Sequence, residues 1–452
     1  MLNRTLLLLV SICTLSAHAY CQTDTLLDST PDTTTVQSLT LQECISYAAV
    51  HQPAVKQSYI DESIARTNNA IAFADWLPQV SGTANLQHYF QLPTAFIPIN
   101  GIKQPIASGV FNTSTPSINA SQTIFNTDVL LATRASRLNT LFARQGTANT
   151  KIAMVADVSK AFYDLLLTLQ QINVLKEDTA RLSKNQQDTY HQYVSGIVDK
   201  VDYKQASISL NNSVAQLKSA SESINAKYAT LKQLMGYPQT KEFTVVYDTA
   251  QMLQEAYFDT SEALNYEKRI EYQQLETVRR LARETTAYYQ LGFIPSLSVF
   301  YNYNQQYAND KFADLYKEAY PYSLFGVNLS VPLFTGFKRL ENIHKAHLQE
   351  VRDDWDVINV KLQIYSEYKQ ALAGYKSNYY SLVAQRENVK MAKEVYDIVH
   401  LQYREGIKTY LNVITAESDL INSEINYLNA LFQLLSSKID LEKAMGDITP
   451  NS

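Results

Sequence analysis

The side chains best suited to chemistry in this 452-residue sequence are few and scattered. His344 and His347 stand three apart, so on a helix two imidazoles would share a face and could offer two nitrogen ligands to a metal. No third ligand accompanies them at a fitting spacing, which makes a solvent-facing pair the ordinary reading. His51, His88, His191 and His400 are isolated. The 12 glycines form neither of the standard phosphate loops nor a Gly-x-Ser-x-Gly elbow. Acidic residues fall mainly on long polar helical stretches, where solvation is the default. No acid, base and nucleophile come together as a catalytic set. Neither an enzymatic activity nor a cofactor is expected.

With chemistry so sparse, the elements themselves must carry the function. The formal charge is −5, without a basic block for nucleic acid or an acidic tail. Tyrosine is abundant, with 31 residues, and suits surfaces that are part apolar and part wet. Residues 1–22 read as an export signal: Arg4, the apolar run from Leu6 to Val10, and Ala17-His18-Ala19 as a cleavage pattern. A cut after Cys21 and a lipid anchor on Cys21 are the alternatives. Tyr20 is bulky where a small residue normally precedes a lipidated cysteine. With Cys13 and Cys21 in the signal, Cys44 stands alone and forms no internal disulfide. No apolar run after the signal is long enough for a membrane helix.

Residues 23–38, rich in Thr, Ser and Asp, are expected to be a flexible leader. Beyond them the sequence repeats. A shift of 210 places Gln192, Tyr193, Gly196, Ile197, Met235 and Gly236 on Gln402, Tyr403, Gly406, Ile407, Met445 and Gly446. A shift of 217 places Leu77-Pro78 on Ile294-Pro295. Two units are therefore expected, 39–236 and 261–447, with a linker at 237–260 and a tail at 448–452.

Each unit reads as a helix, a β-hairpin and a pair of very long helices. The first helices fall near 41–76, interrupted at Pro53, and 261–292. Period-two alternation predicts hairpins over 79–125 and 295–334, with strands near 79–92, 112–125, 295–308 and 322–334. Val, Leu, Phe and Tyr line one face; Ser, Asn, Thr and Gln line the other, as if between lipid and a wet lumen. Tyr and Phe gather at the strand ends. The loop at 93–111 holds Pro93, Pro98 and Pro105 and is expected to lack regular structure. Four strands cannot close a barrel in lipid, so the chain must oligomerise; three copies would supply an even set of twelve.

Helical character then runs over 127–194 and 336–404, roughly 100 Å each at 1.5 Å per residue. Shorter partners follow at 199–235 and 410–445. Val155, Val158, Phe162, Leu165, Leu169 and Ile172 follow the 3-4 spacing of a coiled-coil seam, as do Ile421, Ile425, Leu428, Phe432, Leu435 and Ile439.

Leu39-Thr40-Leu41-Gln42-Glu43, His51-Gln52-Pro53, the Leu77-Pro78 and Ile294-Pro295 junctions, Val331-Pro332-Leu333-Phe334-Thr335-Gly336 and Tyr403-Arg404-Glu405-Gly406 stand in an order that resembles the TolC family of outer-membrane channels, across about residues 39–447. Gln122-Thr123-Ile124-Phe125-Asn126 departs from the family's strand-to-helix motif, lacking its proline and glycine. The resemblance implies an α+β membrane protein: a homotrimer with a twelve-stranded barrel among outer-membrane lipid and a coiled-coil helical tunnel in the periplasm. It would be a passive exit duct for efflux or type I secretion. Its partners would be a periplasmic adaptor and an energised inner-membrane transporter, of the RND type for efflux; nucleic acid is not among them.

The resemblance also implies site residues. Turns at Gly196-Ile197 and Gly406-Ile407 would meet the adaptor. Asp202, Tyr403 and Lys408 match the residue types of the family's gate latch, with lysine in place of arginine. Asn412 and Thr415 stand where the family carries an aspartate ring at the lumen constriction, which would leave that ring neutral. The alternative to a channel is a periplasmic coiled-coil scaffold or adhesin, which would explain the heptads but not the strands.

Overall fold

A strand that alternates apolar and polar residues needs a partner on each side, and a helix of nearly seventy residues needs neighbours along its whole length. A computed structural model describing residues 37–99, 102–246 and 249–449 meets these needs in part, by setting the two halves side by side. The export signal at 1–22, the leader up to residue 36 and the tail from residue 450 lie outside the described residues.

Helix α1 spans Leu41–His51 and opens on a reciprocal cap, with Thr40 Oγ1 accepting from the Glu43 N–H and Glu43 Oε2 accepting from the Thr40 N–H. Pro53 starts α2, Pro53–Ala74, at a position where its missing N–H costs nothing. Strand β2, Gln79–His88, follows; then β3, Thr94–Ile99, β4, Ile102–Ala107, and β5, Asn112–Phe125. Asn126 caps the 68-residue helix α3, Thr127–Val194, by accepting from the Asp128 N–H at 3.0 Å. Helix α4, Lys200–Met235, runs back. The second half has α6, Ile270–Leu291, strands β7, Ser296–Asn309, and β8, Tyr320–Ser330, then α7, Lys338–Arg404, and α8, Tyr410–Met445.

Two expectations are corrected. Gln37 and Ser38, assigned to the leader, belong to strand β1, Gln37–Leu39, which pairs in parallel with β6, Phe243–Val245. The linker thus holds structure, including β6 and the short helix α5, Thr249–Glu255. The loop at 93–111 is not irregular: β3 and β4 form an antiparallel ribbon with Phe96 opposite Pro105 and Pro98 opposite Lys103. Both strands of a two-stranded ribbon are edges, so a proline can face outward without breaking a ladder.

The four long strands form one antiparallel sheet in the order β2-β5-β7-β8. Its register separates the two faces. Ser81, Thr83 and Asn85 lie opposite Asn119, Ser117 and Thr115, and Asn119 lies opposite Asn302. On the other face Val80 pairs Ala120, Tyr301 pairs Phe325, and Leu297 and Val299 pair Leu329 and Val327. Phe325, Val327 and Leu329 are exposed.

Among the helices, α3 packs against α2 and α6 in the half nearer the sheet and against α4 and α8 in the half beyond; α7 packs against α6 and then α8. Both heptad seams are apolar cores: Val158, Phe162 and Leu165 are fully buried, and Leu428, Leu435 and Ile439 are buried. The largest cluster lies where α1 and the β1–β6 pair wrap the middle of the long helices, around Cys44, Met154, Leu231, Phe243 and Leu441. No helix among the described residues is long and apolar enough to cross a membrane.

Candidate functional site

The two turns at the far end of the helices have the same construction. Gly196 adopts φ +71° and Gly406 φ +73°, the left-handed conformation that closes a helix. The Ile197 N–H returns to Gln192 O at 2.9 Å and the Ile407 N–H to Gln402 O at 2.8 Å, satisfying carbonyls the helix leaves free. Both isoleucines project into solvent, about seven-tenths exposed.

Tyr403 bridges the two halves here. Its hydroxyl donates to Gln192 Oε1 at 3.1 Å, joining α7 to α3. Burial, and then the charge of Asp202, hold its phenol above the usual tyrosine range, so Asp202 stands near enough to be felt. Lys408 is exposed and joins no ion pair among the described residues. Asn412 is used locally: its Oδ1 accepts from the Thr409 N–H at 3.2 Å and from Thr409 Oγ1 at 2.9 Å, capping α8. Thr415 Oγ1 donates to Leu411 O at 3.0 Å. The chain thus holds the Tyr403 hydroxyl on Gln192 and leaves Lys408, Asn412 and Thr415 on the surface.

Sequence reasoning passed over two features of this end. One is aromatic: Tyr190, Tyr193 and Tyr203 cluster, Tyr403 lies 5.6 Å from Tyr410, and Tyr396 and His400 line a cavity of about 480 Å³ with Asn185 and Thr189. Burial pushes the Tyr410 phenol up to about 12. The other is ionic. Arg181 Nε donates to Glu417 Oε1 at 2.6 Å and Nη2 to Asp178 Oδ1 at 2.9 Å, with both carboxylates buried. The signal was present: Glu417 continues the Ile421–Ile425–Leu428 seam by one four-residue step, and Asp178 sits between Leu175 and Leu182. An acid within an apolar seam is a buried acid that needs a partner.

His344 and His347 are exposed, and no group of three His, Cys, Asp or Glu side chains suited to a metal occurs among the described residues.

The family model described as "Outer membrane efflux protein" matches residues 44–237 and again 251–447. The chain is 22% identical over 337 residues to the outer membrane protein TolC of Vibrio cholerae, covering 74% of this chain and 76% of that one. It is 22% identical over 429 residues to the probable efflux pump outer membrane protein TtgC of Pseudomonas putida, covering 90% and 82%. The crystal structure of the outer membrane protein VceC from Vibrio cholerae superposes with a TM-score of 0.69 at 16% identity, covering 90% of this chain and 96% of that one. Two successive matches to one family model, on a chain with an amphipathic four-stranded sheet and helices of 68 and 67 residues, leave one assignment: the chain belongs to the outer membrane efflux protein family.

Proposed function

We propose that three copies of this chain form a passive exit duct across the outer membrane, opening at its inner end onto a periplasmic adaptor and an energised inner-membrane transporter. The observation that carries the reading is the pair of open edges on the sheet. The outer sides of β2 and β8 have no strand partner among the described residues. In lipid each unpaired backbone group costs several kcal/mol, so the edges must meet another copy. Three four-stranded sheets would close a twelve-stranded barrel, polar face inward.

The helices also call for a partner chain. Leu348, Val351, Trp355, Ile358, Leu362 and Tyr365 form an exposed stripe on α7 with 3-4 spacing. Each such side chain is worth about 2 kcal/mol when fully covered, and a seam of this period is covered by another helix. An RND-type transporter serving efflux is favoured over type I secretion by relatives named as efflux pump components. The two duplicated units, 39–236 and 261–447, would give the tunnel wall its pseudo-repeat. At the tip, Gly196-Ile197 and Gly406-Ile407 would receive the adaptor. Tyr403 and Asp202, with Lys408 of the same chain or of its neighbour, would latch the entrance, and Asn412 and Thr415 would line a neutral constriction.

The test is mass measurement in mild detergent. The wild type should give three copies. Trp355→Glu with Leu362→Glu should shift the population to single chains while export to the envelope continues. A monomer of the wild type stably inserted in lipid would refute the proposal.

A further inference from the structure

Between the turns and the central core, two carboxylates face one guanidinium. Asp178 and Glu417 each retain only 2% side-chain exposure, and Arg181 lies between them. Ser213 Oγ donates to Asp178 Oδ2 at 2.7 Å, and the Tyr396 ring lies 5.3 Å from the guanidinium carbon. With all three groups ionised the cluster holds one uncompensated negative charge out of water, a state that proteins relieve by binding a proton or a cation.

The vacancy for that proton is specific. Glu417 Oε2 is buried without a hydrogen-bond partner. Asn185 stands beside Glu417, and its Nδ2 is likewise buried outside hydrogen-bond reach of a partner. Beside them a polar cavity of about 270 Å³ is lined by Asp178, Ser209, Asn212, Gln216 and Glu417, giving a route for water and protons. A proton on Oε2 would neutralise the excess charge and turn an unsatisfied acceptor into a donor.

We infer that Glu417 is a proton-binding site, and that the proton holds the α7–α8 hairpin against the α3–α4 hairpin in the tunnel wall. The inference rests on the helices being that wall and is independent of the Asp202–Tyr403 latch. Groups from every packed element bear on Glu417 and its cluster: Glu177, Asp178, Arg181 and Asn185 on α3, Ser213 on α4, Lys393, Tyr396 and Asp397 on α7, and Tyr410 and Glu424 on α8. Burial raises the Glu417 carboxyl above its ordinary value of 4.5 and Asp178 adds to the rise, while Arg181 and the Asn185 side chain oppose it. A value raised in the packed state means that the proton's contribution is complete below the ordinary glutamate value. It is lost as pH rises through the elevated one. Acid therefore tightens the wall, and rising pH loosens it.

Purified trimers in planar bilayers test this by single-channel conductance across the acidic to neutral range. Wild-type conductance should rise with pH. Glu417→Gln, which mimics the protonated form, should hold the low-pH conductance at every pH. Glu424→Gln, which removes a neighbouring half-buried acid, should keep the wild-type profile. Difference infrared spectroscopy should show a protonated-carboxyl carbonyl band that disappears with the same midpoint and is missing from Glu417→Gln. A wild-type pH profile in Glu417→Gln, or a carbonyl band that survives in it, would overturn the inference. Should that variant not assemble, Glu417→Asp decides: a shifted midpoint supports the site and an unchanged one refutes it. Wild-type trimers with no conductance at all would count against the duct reading instead, while the infrared band would still decide the proton.

Discussion

Four glycines close the four long helices, and all have positive φ, yet substitution should separate them into two pairs. Gly196 and Gly406 sit at the tip with nothing within 4 Å of where a Cβ would be. Alanine there costs only the left-handed strain, about 1–2 kcal/mol. Gly236 and Gly446 sit against the central core. A Cβ on Gly236 would lie 2.6 Å from His51 O and 2.8 Å from His51 C, and one on Gly446 would lie 2.9 Å from the Lys268 backbone. Those atoms are main chain, so α1 or the segment before α6 must move, adding an overpacking cost of roughly 1–3 kcal/mol to the same strain. Heat-induced loss of trimer, scanned at one rate, should rank Gly196→Ala and Gly406→Ala close to wild type and Gly236→Ala and Gly446→Ala well below. Leucine at either tip position should likewise leave trimers intact but abolish drug resistance, because its side chain would occupy the surface offered to the adaptor. Four variants of equal stability would refute the steric argument. Normal resistance in both tip leucine variants would reduce those glycines to helix ends.

Asp202→Ala with Tyr403→Phe should raise single-channel conductance and make cells leakier to large antibiotics; Gln192→Ala alone should give part of the effect, since Gln192 accepts the Tyr403 hydroxyl hydrogen bond. Unchanged conductance in folded trimers would remove the latch. A cysteine at Lys317, exposed in the β7–β8 loop, should react with an impermeant maleimide on whole cells; labelling only after the outer membrane is broken would reverse the topology. Background should be low, because burial pushes the Cys44 thiol up to about 12 and keeps it protonated.

Most helix limits were legible because they rest on local chemistry; the start of α6 was not, expected at residue 261 and found at Ile270 after a short 3-10 turn at Tyr266–Lys268. Asn126 caps Thr127–Val194, Pro53 divides α1 from α2, and glycine closes each long helix. Strand faces were legible because a period of two survives whatever the partner is. Pairings between distant segments were not: nothing in Gln37-Ser38-Leu39 announces Phe243-Thr244-Val245, some two hundred residues on. The β3–β4 ribbon was hidden by Pro98 and Pro105, whose usual meaning is irregular loop. Of the candidate site, the turns could be placed by the internal repeat and Tyr403 by the family resemblance. The partners could not, because Gln192 and Arg181 are ordinary exposed-face residues until another helix arrives.

The duplicated halves are joined to the sheet in unlike ways. In the first, β5 passes into α3 through Asn126 alone, so strand and helix behave as a single stiff shaft. In the second, a segment from Val331 to Phe337 intervenes, with Gly336 at φ +59° and Phe337 at φ +63°. That segment is an elbow. A rotation applied to α3 from below would reach the strands as torque, whereas the same rotation of α7 would be spent in bending at Pro332–Phe337. The two long helices therefore offer the sheet unlike couplings, stiff through α3 and yielding through α7.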